Sequence, residues 1–111
     1  MRALLVALVA ALLVVPGAAA ARPSIAIDVT GAGYDRVVTV RVFRGAKPVN
    51  RARVVVSASM RHPGHHMNVP PRDARRSAPG VYRARLSFLM LGQWRVTATV
   101  DGRRRSIAIR L

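Results

Sequence analysis

Tyr82-Arg83-Ala84-Arg85-Leu86-Ser87-Phe88-Leu89-Met90-Leu91-Gly92-Gln93-Trp94-Arg95-Val96-Thr97-Ala98-Thr99-Val100-Asp101-Gly102 is the stretch whose reading decides the fold. Tyr82, Ala84, Leu86, Phe88 and Met90 fall at every second position, with Arg83 and Arg85 between them. Gly92 interrupts, and Trp94, Val96, Ala98 and Val100 resume the alternation. Successive side chains of a strand point to opposite faces, so this pattern describes two half-buried strands. Asp101-Gly102 is a two-residue hairpin signal, because both residues accept the positive φ that such turns demand.

The same pattern extends outward in both directions. Ile107, Ile109 and Leu111 mark a last strand after the hairpin. Upstream, Ile25, Ile27 and Val29 alternate up to Gly31-Ala32-Gly33, and Val38, Val40 and Val42 up to a Gly45–Pro48 turn. Val54, Val56, Ala58 and Met60 share one face of a third strand, and Asp73–Ser77 forms a short one before the Ala78-Pro79-Gly80 turn. Arg41, Arg53, Arg83, Arg85, Arg95 and Arg110 take the wet faces. Short antiparallel strands at this spacing predict an all-β, two-sheet sandwich of about seven strands.

The N-terminus follows a different logic. Arg2 precedes an unbroken apolar run from Ala3 to Val15, Pro16-Gly17 ends it, and Ala18–Ala21 offers small residues for cleavage. This is the layout of a secretory signal peptide over residues 1–21, cut after Ala20 or Ala21, with retention as an anchor as the alternative. The run is shorter than the roughly 20 residues a membrane-spanning helix requires. Residues 22–111 are then one exported domain, expected to be periplasmic or secreted.

Composition narrows the chemistry. The chain has no cysteine, so thiolate catalysis and disulfides are excluded. The formal net charge is +15, and Lys47 is the one lysine among the 19 basic residues. Such a surface attracts anionic lipid, envelope polymers or an acidic protein, or else is simply a solvated arginine-rich surface. Nucleic acid is a poor partner for an exported chain. Glutamate is absent and the four carboxylates are Asp28, Asp35, Asp73 and Asp101, which form no evident acid–base pair. The domain is therefore not expected to be an enzyme.

One segment carries unusual chemistry: Met60-Arg61-His62-Pro63-Gly64-His65-His66-Met67. All three histidines of the chain lie in it, and Met60, Met67 and Met90 are the methionines beyond Met1. Imidazole and thioether together suit Cu(I), and imidazole alone suits Cu(II). Zinc more often recruits thiolate or carboxylate. Pro63-Gly64 would bend the chain so that His62 faces His65 or His66. Met60 and Met90 also occupy core-facing phases, where methionine is ordinary packing. The histidines read singly are solvated loop residues. Counting strand directions puts Met90 and the Gly31–Tyr34 turn at the same end as this loop, provided the chain makes a single descent between Pro70 and Gly80.

Lys47-Pro48-Val49-Asn50-Arg51-Ala52-Arg53-Val54, the Met/His loop, Gly80-Val81-Tyr82 and Phe88-Leu89-Met90-Leu91-Gly92-Gln93-Trp94 together resemble the YtkA-like domain family, related to the FixH group. The resemblance implies an immunoglobulin-like sandwich outside the cytoplasmic membrane. It further implies a link with copper handling or with the assembly of copper-containing respiratory complexes, with His62, His65, His66, Met67, Met90 and Met60 as the matching metal-site positions. A membrane-bound copper protein would then be the partner. The alternative is a metal-free envelope domain that docks on a membrane protein or an anionic surface through its arginine-rich faces.

Overall fold

The structure is a computed structural model that describes residues 22–62 and 65–111; the side chains of residues 61–65 lie outside the description. The expected signal segment, residues 1–21, and the expected bend at Pro63-Gly64 also lie outside the described residues.

The described chain forms strands β1 (Ser24–Thr30), β2 (Asp35–Arg44), β3 (Lys47–Pro48), β4 (Val54–His62), β5 (His65–Ala78), β6 (Val81–Ser87), β7 (Gln93–Val100) and β8 (Arg103–Arg110). Every strand pairing is antiparallel. The strand order is β1-β2-β6-β5-β4-β7-β8, with the short β3 beside β2. The two layers curl until β1 approaches β8, which makes a sandwich close to a closed barrel. The fold is all-β, as the alternation predicts.

The core follows from that alternation. Val38, Val40 and Val42 of β2, Val54, Val56, Ala58 and Met60 of β4, and Trp94, Val96, Ala98 and Val100 of β7 are all buried. Tyr82, Leu86 and Phe88 join them. Ile27, Val29, Ile107, Ile109 and Leu111 are only partly buried. Edge strands cover one side of a core and leave the other open, so β1 and β8 bury less than the central strands do.

The structure departs from the expected layout between Met60 and Ser77. β4 runs on to His62, and β5 is one continuous strand of 14 residues rather than a loop followed by a short strand. Met67 therefore lies within a strand. Pro70-Pro71 masked the continuity, because proline lacks the N–H that a ladder uses. Here the prolines fall in a β-bulge: Val56 pairs with Arg72 and Ala58 with Val69, leaving Pro70 and Pro71 opposite the single residue Ser57. A bulge is the place where a strand tolerates proline. Beyond it, β5 stays paired with β4 as far as Ala74 and then pairs through Arg75–Ala78 with β6, which joins the two layers.

Because β5 makes one descent, the β4–β5 hairpin, the β1–β2 turn and the segment after β6 share one end. Backbone bonds tie that end together. Phe88 N–H donates to Tyr34 C=O at 2.8 Å, and Leu111 N–H donates to Gly92 C=O at 2.8 Å. The opposite end is closed by polar bonds. Gly80 N–H donates to Asn50 Oδ1 at 2.9 Å, Tyr82 O–H donates to Val49 C=O at 2.8 Å, and Val42 N–H donates to Gly80 C=O at 2.8 Å.

Candidate functional site

The register of the β4–β5 hairpin sorts the candidate residues. Met60 pairs with Met67, Arg61 with His66, and His62 with His65. Directly opposed residues share a face with Cβ atoms about 4.5–5.5 Å apart, and the face alternates at each step. Positions 60, 62, 65 and 67 therefore have one phase, and positions 61 and 66 the other. The expected trio of histidines is split, with His62 and His65 in one row and His66 opposite Arg61.

Met60 faces the core and is only 3% exposed. Its methyl group presses on Gly92, where an added Cβ would lie 2.7 Å from Met60 Cε. This contact brings the segment between β6 and β7 under the hairpin. Met60 is thus a packing residue that anchors the hairpin base, and Met67 beside it is only partly buried. Pairing with β7 stops at Ser59 opposite Arg95, so the hairpin outruns the sheet from Met60 onward.

Met90 arrives from the other side. Trp94 Nε1–H donates to the Met90 carbonyl at 3.0 Å, and the Trp94 ring meets Phe88 edge-to-face with centroids 5.1 Å apart. A buried indole needs a partner for its N–H, and here that requirement fixes the Met90 backbone. Its side chain is partly buried against the same core as Met67. Met90 therefore shares the end with the hairpin, as strand counting predicts. His66 is exposed.

Among the described residues no three histidine or carboxylate side chains gather closely enough to hold a metal ion. A site at this end depends on thioether sulfur together with the His62/His65 row. The sulfurs at this end suit a soft ion: Met67 and Met90 are partly open, whereas Met60 is committed to the core.

Sequence reasoning missed a further feature of the same end. Tyr34, Leu89 and Leu91 are 54%, 64% and 55% exposed, and they are the exposed large hydrophobics of the described chain. Tyr34 sits in the β1–β2 turn, and the two leucines flank Met90. A signal was available, since Leu89 and Leu91 hold the phase that Arg83, Arg85 and Ser87 occupy earlier on the same run.

Comparison with curated proteins and with solved structures finds no match. A family model described as YtkA-like matches residues 24–99, from the start of β1 almost to the end of β7. That span includes the hairpin, Gly80-Val81-Tyr82 and the Phe88–Trp94 segment, so the chain belongs to the YtkA-like family.

Proposed function

We propose that the protein is an exported copper-binding module, not an enzyme, which accepts one copper ion at the end of its β4–β5 hairpin and passes it to a membrane-bound partner. The observation that carries this reading is the hairpin register, which sets His62 opposite His65 two residues beyond the Met60–Met67 pair and in the same phase. Imidazole and thioether donors supplied from positions of one phase on a hairpin would form an intermediate-to-soft set matched to Cu(I). His62, His65 and Met67 are the assigned ligands, with Met90 approaching from the neighbouring segment. Met60 supports the hairpin from behind. Ligand imidazoles must be neutral, so loading the ion releases protons wherever they are charged beforehand. A site at a hairpin tip suits reversible transfer, because the ion need not leave a closed cavity.

The test is Cu(I) competition titration of residues 22–111, the part of the chain that builds the whole described fold. Changing His62 and His65 to alanine together is expected to weaken competition by about tenfold or more, while His66→Ala has a smaller effect. If a variant lacking all three histidines competes as well as the parent, the reading fails.

A further inference from the structure

We infer that the hairpin end of the sandwich docks on an anionic lipid bilayer, with Leu89, Leu91 and Tyr34 entering the interface. Three observations point there. First, the exposed large hydrophobics of the described residues all sit at this end. Tyr34 and Phe88 are joined through their backbones, and Gly92 is joined to Leu111, so the apolar residues project from segments fastened to one another. Second, Met90 turns toward the core between the two leucines, which leaves Leu89 and Leu91 directed outward. Third, basic residues surround them. Arg36 Nε donates to Gly33 C=O at 2.8 Å, which holds its guanidinium over the β1–β2 turn. Arg95 and Arg110 are exposed on the β7 and β8 rows nearest this end. The carboxylate among them, Asp35, is engaged by the Ser87 hydroxyl at 2.7 Å.

Size and charge choose the occupant. Two leucines and a tyrosine half exposed offer a few hundred Å² of apolar surface at most. A specific protein interface takes about 800 Å² from each partner. An interfacial anchor requires less, because apolar insertion and attraction to anionic headgroups add together. Tyrosine suits the headgroup level, with an apolar ring and a polar tip. The described residues carry eighteen basic side chains against four carboxylates, so the long-range field favours an anionic surface in any case. The hydrophobic end decides which part of the molecule touches it. This docking does not rest on the copper reading, since Tyr34, Leu89 and Leu91 contribute no metal ligand.

The experiment is binding of residues 22–111 to phosphatidylglycerol vesicles, with phosphatidylcholine vesicles as the reference. The expected result is binding about tenfold or more tighter to phosphatidylglycerol, weakened by salt. The double variant Leu89→Ser and Leu91→Ser, on exposed positions, is expected to keep its thermal midpoint and to bind about tenfold more weakly. The chain has no cysteine, so one can be placed at will. A polarity-sensitive dye at Tyr34→Cys is expected to shift to the blue on the vesicle, whereas the same dye at Ser106→Cys, on the open face of β8, does not. Equal binding by parent and double-leucine variant overturns the proposal, as does an equal shift at both dye positions. Failure to bind phosphatidylglycerol vesicles also overturns it, and would turn attention to a protein partner. Each of these outcomes is independent of the copper titration.

Discussion

Gly80 closes the end of the sandwich opposite the hairpin, and Gly80→Ala tests how tightly that end is built. Gly80 has φ +71°, and an added Cβ would lie 2.9 Å from the Val42 carbonyl oxygen, 2.9 Å from Pro48 Cβ and 3.0 Å from Phe43 Cε1. Two effects add. Placing a non-glycine residue in the left-handed region costs about 1–2 kcal/mol. Forcing a methyl group into a packed site costs roughly 1–3 kcal/mol more, and here one obstacle is backbone that cannot rotate away. The total is about 2–5 kcal/mol, a large share of the roughly 5–13 kcal/mol expected for a domain of this size. At about 4–8 °C per kcal/mol, the thermal midpoint falls by roughly 8–40 °C. Gly45 supplies the control: its φ is +60°, but an added Cβ meets nothing within 4 Å. Gly45→Ala therefore carries the backbone cost alone, about 1–2 kcal/mol. Thermal unfolding of both variants, followed through strand circular dichroism, gives the comparison. If Gly80→Ala loses no more stability than Gly45→Ala, the close approach of Val42 and Pro48 has been misjudged and the reasoning is refuted.

Three further outcomes are expected. Tyr82→Phe leaves the Val49 carbonyl without its 2.8 Å donor and is expected to cost about 1–2 kcal/mol in urea unfolding at unchanged m-value. Asp101, at φ +47°, accepts a 2.8 Å bond from Arg53 N–H, so substitutions should rank in cost as Asp101→Ala above Asp101→Gly above Asp101→Asn, with Asp101→Ala losing about 1–2 kcal/mol in the same assay. Met60→Ala opens a cavity under the hairpin and should cost roughly 2–5 kcal/mol, whereas Met60→Leu keeps the volume and should stay below about 1.5 kcal/mol. Met60→Leu is also expected to leave Cu(I) competition unchanged; a large loss of affinity at unchanged stability would make Met60 sulfur a ligand.

Most of the architecture could be read from period-two alternation, because each strand has one dry face. In Val38-Thr39-Val40-Arg41-Val42 the three valines at every second position suffice to orient β2. Reading failed where the pattern was interrupted for a backbone reason. Pro70-Pro71 looks like the end of a strand, and only the partner strand reveals that a bulge absorbs both residues. The candidate site could be read in composition but not in register. A run holding His62, His65 and His66 advertises imidazole, while the division of these residues between two faces depends on which residue opposes which across the hairpin. That is a long-range property of the β4 ladder. Leu89 and Leu91 were legible in phase, since they follow Arg83, Arg85 and Ser87 on the outward positions, but leucine in an apolar run is easily taken for core.

The two ends of the sandwich are built on different principles, and that difference bears on function. At the Gly80 end, amide, carbonyl, Asn50 and Tyr82 groups satisfy one another. At the hairpin end, the core itself reaches the surface through Met67 and Met90, and leucines continue it into solvent. A methionine at the core boundary can serve both sides, because its methyl group packs while its sulfur remains polarizable. Strand pairing with β7 stops at Ser59, so the residues beyond depend on the hairpin alone and can change without unpairing the sheet. On the copper reading proposed above, stability and ligand chemistry would be separated along one strand: Val54, Val56 and Ala58 hold the sandwich, Met60 closes it, and His62 lies past the point where β7 pairs with β4. Loss of the histidines should accordingly alter metal competition without shifting the unfolding midpoint, whereas loss of Met60 should do the reverse.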